Sequence, residues 1–389
     1  MEKFRLLIII LSFSSMLFLS CNTSDRVENS KGSSVGLELL SSDQTGITFN
    51  NAIQESETVN HMYYNQIYSG AGVGIGDLNN DGALDVISIS SSCIYYMEGN
   101  GSGLFDLNTS TYIDDNGSGT PDYALICDLD QDGDKDVLIS LVSLSKIELY
   151  KNLGGLTVGE FDPSDPSTII NDSNRLAGKP EFFTVGDIDN DYDLDIIVAY
   201  QESNEVVWYA NDGNSTFTEA GVITSVSSPR YLELIDANDS SSLGDHFKCP
   251  DIVIAGENGI FLAENAGKGV FTTSKIIDFL GQGEIVRAVN LDGNDFPDLV
   301  YATTLIGSPP SYSLQDSTGF SLPIVLPRNL DDDITRTISS PSAIEIYTGP
   351  FNPAGNYKGP TKSSPAIIVS DRAKKFISIY EYFIYVNCR

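Results

Sequence analysis

An all-β protein built from repeated four-stranded units is what the 389-residue sequence predicts, and three observations predict it. An acidic loop followed by an apolar run recurs along the chain. Each time, a second β-rich run follows and ends in Asn, Asp or Gly turn residues. A phenylalanine then opens a further run. A four-stranded sheet cannot bury both its faces alone, so such units must stack face to face in a ring, which is a β-propeller.

The loops begin at Asp77 (GDLNNDGALDVISIS), Asp128 (CDLDQDGDKDVLISL), Asp187 (GDIDNDYDLDIIVAY) and Asn290 (VNLDGNDFPDLVYAT). Two worn copies complete the series. One starts at Asp236 with an insertion before Asp251, and the other starts at Thr348 with no acid left. The period is about 54 residues, within the range of propeller blades. The first strand of each unit precedes the loop, as in AGVGIGD, ALICD and FFTVGD. The second follows it (DVISIS, DVLISL, DIIVAY, DIVIAG, DLVYAT, AIIVSD). The third is CIYYMEGNG, IELYKNLGG, VVWYANDGN or IFLAENAGK, and the fourth opens at Phe105, Phe161, Phe217, Phe271 or Phe320. Short β-branched and aromatic runs punctuated by Gly, Asn and Asp are strand and hairpin signals. Six blades follow, with seven as the alternative. TGITFNNAI, residues 45 to 53, has the turn-then-Phe pattern of a fourth strand and is expected to complete the last blade and close the ring, removing open sheet edges.

The first 20 residues read as a leader, with Lys3 and Arg5 ahead of the apolar run Leu6 to Leu19. Ser20 before Cys21 resembles the lipobox of bacterial lipoproteins, which implies acylation of the Cys21 thiol; an ordinary signal peptide is the alternative. Residues 21–36 read as a flexible tether and residues 37–389 as a single propeller. A net charge of -32, from 54 acidic and 22 basic residues, argues against a nucleic acid partner, which needs clustered Lys and Arg. Cys93, Cys127, Cys249 and Cys388 allow three disulfide pairings, and no CxxC spacing suggests zinc.

Positions 1, 3, 5 and 9 of the loops carry oxygen side chains. They are Asp77, Asn79, Asp81 and Asp85; Asp128, Asp130, Asp132 and Asp136; Asp187, Asp189, Asp191 and Asp195; and Asn290, Asp292, Asn294 and Asp298. Calcium wants six to eight such oxygens, and Gly82 and Gly133 at position 6 permit the sharp bend. Without a cation, carboxylates about 5 Å apart repel by roughly 3 kcal/mol per pair at an effective dielectric of 20. An EF-hand would need a bidentate Glu at position 12, where Ser88, Ile139 and Val198 stand instead. The final acid at position 9, running into a strand, resembles the calcium loop of FG-GAP and VCBS repeats, found in integrin-alpha-like propellers and many exported bacterial proteins. That resemblance implies a loop joining the first and second strands of a blade and binding Ca²⁺, with two to four ions in the chain. Tyr192 replaces the position-6 glycine in the third copy and is expected to strain a left-handed backbone. The fifth loop, with two Asn for Asp, should bind more weakly, the insertion in the fourth should abolish or move a ligand, and the sixth should be metal-free.

His61 and His246 are isolated, and no GxSxG, HExxH or Walker pattern occurs. No catalytic residue is assigned. The expected function is a non-catalytic, calcium-binding propeller anchored through Cys21 at a bacterial cell envelope, as an outer-membrane lipoprotein that binds a protein or glycan. The alternative is a carbohydrate-active enzyme such as a polysaccharide lyase, which would gather His61 or His246 with Tyr and Arg around one cleft.

Overall fold

In the computed structural model the described residues are 42–47, 72–90, 93–106, 112–113, 121–141, 144–154, 167–171, 179–237, 249–291, 294, 296–303, 311–325, 341–347, 366–371 and 376–381. The leader, Cys21, the tether, His61, His246 and Cys388 lie outside them, as does most of the segment expected to close the ring. Of that segment, Thr45 ends a single helical turn, α1 (Ser42–Thr45).

The acidic loop closes a two-stranded antiparallel hairpin, and the next strands add outward in chain order. The first sheet runs β1 (Gly72–Gly76), β2 (Asp85–Ser90), β3 (Cys93–Gly99), with β4 (Phe105–Asp106) and β5 (Tyr112–Ile113) both on β3. The second is β6 (Pro121–Cys127), β7 (Asp136–Leu141), β8 (Lys146–Tyr150) and β9 (Ser167–Asn171). The third is β10 (Pro180–Gly186), β11 (Asp195–Tyr200), β12 (Glu205–Asn211) and β13 (Phe217–Ser225). Phe105, Phe217 and Phe271 open strands as expected, whereas the fourth strand of the second sheet is Ser167–Asn171 and Phe161 is outside the described residues.

Beyond this point the repeats run together. β14 (Tyr231–Ile235), β15 (Asp251–Asn265), β16 (Phe271–Val289), β17 (Asp298–Thr303) and β18 (Ser311–Ser313) form one path. The pair β19 (Gln315–Asp316) and β20 (Gly319–Phe320) makes a small ribbon, and β21 (Ile324–Val325) completes the path on β18. The path is continuous because β16, 19 residues long, serves as the last strand of the fourth repeat and the first of the fifth, with a register shift between Gly283 and Ile285. The worn sixth copy still pairs as three strands, β22 (Pro341–Tyr347), β23 (Ala366–Asp371) and β24 (Phe376–Glu381).

Register places the residue before each loop opposite position 9: Gly76 faces Asp85, Cys127 faces Asp136, Ile235 faces Asp251 and Val289 faces Asp298. Two compact units result, one on Glu38–Phe183 with Tyr209–Glu219, the other on Thr184–Trp208 with Ala220–Arg389. Within the first unit, Leu78, Ile87, Ile94 and Tyr96 of the first repeat pack on Ala124, Val137, Ile139 and Tyr150 of the second. Every residue of β7 is buried, which is why DVLISL is apolar without alternation. Close approach also needs missing side chains: a Cβ on Gly76 would stand 2.8 Å from Ile126 Cγ2. Within the second unit, a Cβ on Gly186 would stand 2.4 Å from Leu234 Cδ1, and Val253, Ala255, Val286 and Leu299 form its core.

Candidate metal centre

Each loop is built on its last aspartate. Asp85, Asp136, Asp195, Asp251 and Asp298 are almost fully buried at the start of the second strand. One carboxylate oxygen of each accepts the N–H of position 2: Leu78 (2.9 Å), Leu129 (3.1 Å), Ile188 (3.0 Å), Ala237 (2.9 Å) and Leu291 (2.6 Å). In four repeats the other oxygen accepts an N–H at the end of the third strand, from Gly99 (2.9 Å), Asn152 (2.9 Å), Asn265 (2.7 Å) or Gln315 (2.8 Å). Position 9 is thus a staple that ties loop, second strand and third strand together. The apolar residue at position 2 is driven into the core on the other side; Leu78, Leu129, Ile188 and Leu291 are all buried.

Position 1 organises the bend. Asp77 accepts the N–H groups of Asp81 (3.1 Å) and Gly82 (2.9 Å), and Asp187 accepts those of Asp191 (3.1 Å) and Tyr192 (3.0 Å). Asp128 accepts from Gly133 at 3.1 Å. To turn those N–H groups inward the backbone becomes left-handed twice. Position 4 does so at Asn80, Gln131 and Asn190, with φ of 56°, 58° and 63°; position 6 does so at Gly82 (84°), Gly133 (97°) and Tyr192 (77°). Tyr192 therefore keeps the bend that a glycine makes freely, and the residue is left 77% exposed.

In two loops the acids converge. Carboxylate oxygens of Asp128, Asp130 and Asp136 lie within 4.8 Å of one another, and so do those of Asp187, Asp189 and Asp195. Two oxygens sharing one calcium at roughly 2.3 to 2.6 Å are about 5 Å apart at most, so both sets match a common ion. The donor atoms are also left waiting: Asp128 Oδ1, Asp130 Oδ1 and Asp189 Oδ1 are buried and have no hydrogen-bond partner. An orphaned buried oxygen is costly, and a hard cation satisfies it without a donor hydrogen. The residues present fit a divalent cation in these two loops.

The local electrostatics agree. Burial pushes the Asp136 carboxyl up to about 6, against the pull of N–H donation from Asn152 and Leu129 and with a further push from Asp130 and Asp132. Burial, then the charge of Asp191, raises Asp189. A bound divalent cation reverses both pressures. In the second loop the described residues already supply one positive group: Lys151 Nζ hydrogen-bonds Asp130 and stands 3.6 Å from Asp132.

The other predicted ligands are arranged differently. In the first loop no carboxylate triad forms among the described residues; Asn79 turns its amide N–H to Asp81 (3.3 Å) and Glu98 (3.2 Å). In the fifth, the Asn290 amide donates to the Asn294 carbonyl and Asn294 donates to the Gln315 carbonyl (2.6 Å), while Asp292 lies outside the described residues. In the fourth, Asp251 keeps the staple, and the insertion is outside the described residues.

One set of residues was missed in the sequence. The buried Asn152 side chain donates to the Leu78 carbonyl of the preceding repeat (2.6 Å) and the Lys135 carbonyl of its own (3.1 Å). Asn265 does the same to Ile188 (2.8 Å) and Pro250 (3.4 Å), and Gln315 reaches the Ala237 carbonyl at 2.6 Å. The signal was available as an amide residue at the end of the third strand in the second to fifth repeats, hidden among turn-forming Asn and Gly. Gly99 holds that place in the first repeat, where a Cβ would lie 2.0 Å from the Leu84 carbonyl oxygen.

The family model of the FG-GAP-like repeat matches residues 77–139, 128–198 and 187–239. Residues 77–239 are FG-GAP-like repeats. Each matched segment starts at position 1 of one acidic loop, and the first two end in the second strand of the next repeat, so the family unit includes the stapled elbow. No curated protein sequence matches the chain. Among solved structures, a lectin from Agrocybe aegerita described as recognising non-reducing terminal N-acetylglucosamine aligns with a TM-score of 0.50 and 17% identity over 80% of each chain. The V. cholerae biofilm matrix protein Bap1 aligns with a TM-score of 0.40 and 17% identity, over 72% of this chain and 45% of that one. The likeness to the lectin concerns the fold alone. With its antiparallel four-stranded sheets and FG-GAP-like repeats, the chain is all-β and propeller-like.

Proposed function

We propose that the chain is a calcium-stabilised, non-catalytic binding protein, a six-bladed propeller held at the bacterial cell envelope by a lipid on Cys21. The observation that carries the calcium part is the pair of carboxylate triads, Asp128, Asp130, Asp136 and Asp187, Asp189, Asp195, with buried oxygens that lack a hydrogen-bond partner. Those two loops hold one ion each, and the first and fifth are the sites for any third and fourth. Calcium here stiffens the elbows of the repeats and leaves the other loops to meet a partner. A glycan or a protein is the partner class, with terminal sugars first, because a fold of this kind serves the Agrocybe lectin for that purpose.

Two measurements test the reading. Chelation should lower the melting temperature and added Ca²⁺ should restore it, since a ligand of the native state stabilises by mass action; a melting temperature indifferent to chelator would refute it. Screening the purified protein against glycan and protein arrays, with product analysis, should find retention without turnover. Cleaved glycan would replace the binding reading with the lyase alternative.

A further inference from the structure

We propose that Lys151 is a tethered internal cation that competes with calcium for the second loop, so that this loop fills only at higher calcium than the third. The inference rests on the calcium reading and concerns how one of its sites is regulated. Lys151 immediately precedes Asn152, whose N–H is fixed on Asp136 and whose side chain is locked to the Leu78 and Lys135 carbonyls. Its ammonium is therefore delivered to the loop mouth by a rigid stalk and bonds Asp130 and approaches Asp132 at 3.6 Å, which are loop positions 3 and 5. Asp132 spends its other oxygen on the Asp134 N–H (3.0 Å), so the oxygen facing Lys151 is the one it has left for an ion. Asp130 keeps Oδ1 for an ion while its Oδ2 holds the ammonium, so calcium and Lys151 contest Asp132 Oδ2 and repel each other across Asp130.

The same place in the other repeats carries no cation. It is Glu98 in the first, Ala210 in the third, Glu264 in the fourth and Leu314 in the fifth. Among the described residues no cationic side chain pairs with Asp187, Asp189 or Asp191 of the third loop, although its acid set at positions 1, 3, 5 and 9 is identical to that of the second. At the end of the third strand the two sites thus differ in Lys151 against Ala210, and within the loop chiefly in Gly133 against Tyr192 and Lys135 against Leu194. Lys151 is 46% exposed, so its pairing is partly screened and calcium can displace it.

Calcium titration calorimetry on the full chain in detergent, in chelator-washed buffer, compares wild type with Lys151→Met and Lys151→Gln; the second variant guards against a packing defect in the first. Both should tighten one site by about two- to fivefold, the worth of a partly exposed ion pair. Asp130→Asn added to Lys151→Met should abolish that gain. In chelator both single variants should melt below wild type, because the second loop loses the ammonium that pairs with Asp130 and Asp132. Calcium binding with unchanged affinity in both variants, or weakened by them, overturns the inference and leaves the calcium reading standing. Calcium binding to neither wild type nor variants overturns the calcium reading, and this inference with it.

Discussion

Asn152→Ala isolates the link between consecutive repeats. The substitution leaves the backbone N–H on Asp136 intact and removes the amide that donates to Leu78 at 2.6 Å and Lys135 at 3.1 Å. Asn152 is only 1% exposed, so its space does not become a water site without cost. A buried carbonyl left without a donor costs about 1–3 kcal/mol. Lys135 is exposed, and its carbonyl can turn to solvent, so one buried acceptor and the small cavity set the total at about 2–3 kcal/mol. With a urea dependence of about 3 kcal/mol per molar, the unfolding midpoint should fall by about 0.7–1 M at saturating calcium, read by far-UV circular dichroism. Asn152→Gln should recover part of the loss, because Gln315 makes the equivalent reach to Ala237 at 2.6 Å. An Ala variant within about 0.5 kcal/mol of wild type would refute the argument, since ordinary surface changes fall in that range.

The third loop offers a gain. Tyr192→Gly should raise stability by about 0.5–1 kcal/mol, the left-handed penalty of about 1–2 kcal/mol less the entropy a glycine loses on folding, and the melting temperature at fixed calcium checks it. Asp189→Asn removes a ligand whose hydrogen bond from the Asp191 N–H an amide oxygen can keep, so the calcium-free protein should melt no lower than wild type while the calcium-induced rise shrinks. Asp195→Asn should lower the melting temperature with or without calcium, because the Ile188 N–H loses its carboxylate acceptor. Burial first, then the charges of Asp136 and Asp128, push the Cys127 thiol up to about 12. At pH 8 only about one thiol in ten thousand is then thiolate, so iodoacetamide should label Cys127 after urea unfolding and not before, as mass spectrometry will read.

The fold was legible because the repeat is written twice over, in spacing and in chemistry. Register follows from the loop, since the residue before it and its ninth residue face each other whatever lies between. Strand ends were less legible where a glycine stands inside a β-rich run without ending it. The stretch from Phe271 to Val289 reads as two strands with a turn and folds as one, the change of role being absorbed by a register shift near Gly283. The site was legible in its acids and illegible in its amides. Asn152, Asn265 and Gln315 look like turn residues in sequence, and only the folded distance of 74 to 78 positions to Leu78, Ile188 and Ala237 makes them bridges. Lys151 was invisible for the same reason, lying 21 positions from Asp130.

Position 9 explains why an aspartate persists where the other acids of the loop are lost. In the fourth repeat the loop is interrupted and in the fifth two ligand positions are amides, yet Asp251 and Asp298 remain, buried, with both oxygens on backbone N–H groups. An amide there would turn a donor toward one of two N–H groups, and an apolar residue would orphan both, at about 1–3 kcal/mol for each. The staple therefore holds Asp in place independently of any ion, whereas positions 1 and 5, whose backbone bonds stay within the loop, are less constrained once an ion is not needed. By this argument Asp at position 9 marks a folded elbow. The first three positions, read with the residue that precedes the third-strand staple, Glu98, Lys151 or Ala210, decide what the elbow holds.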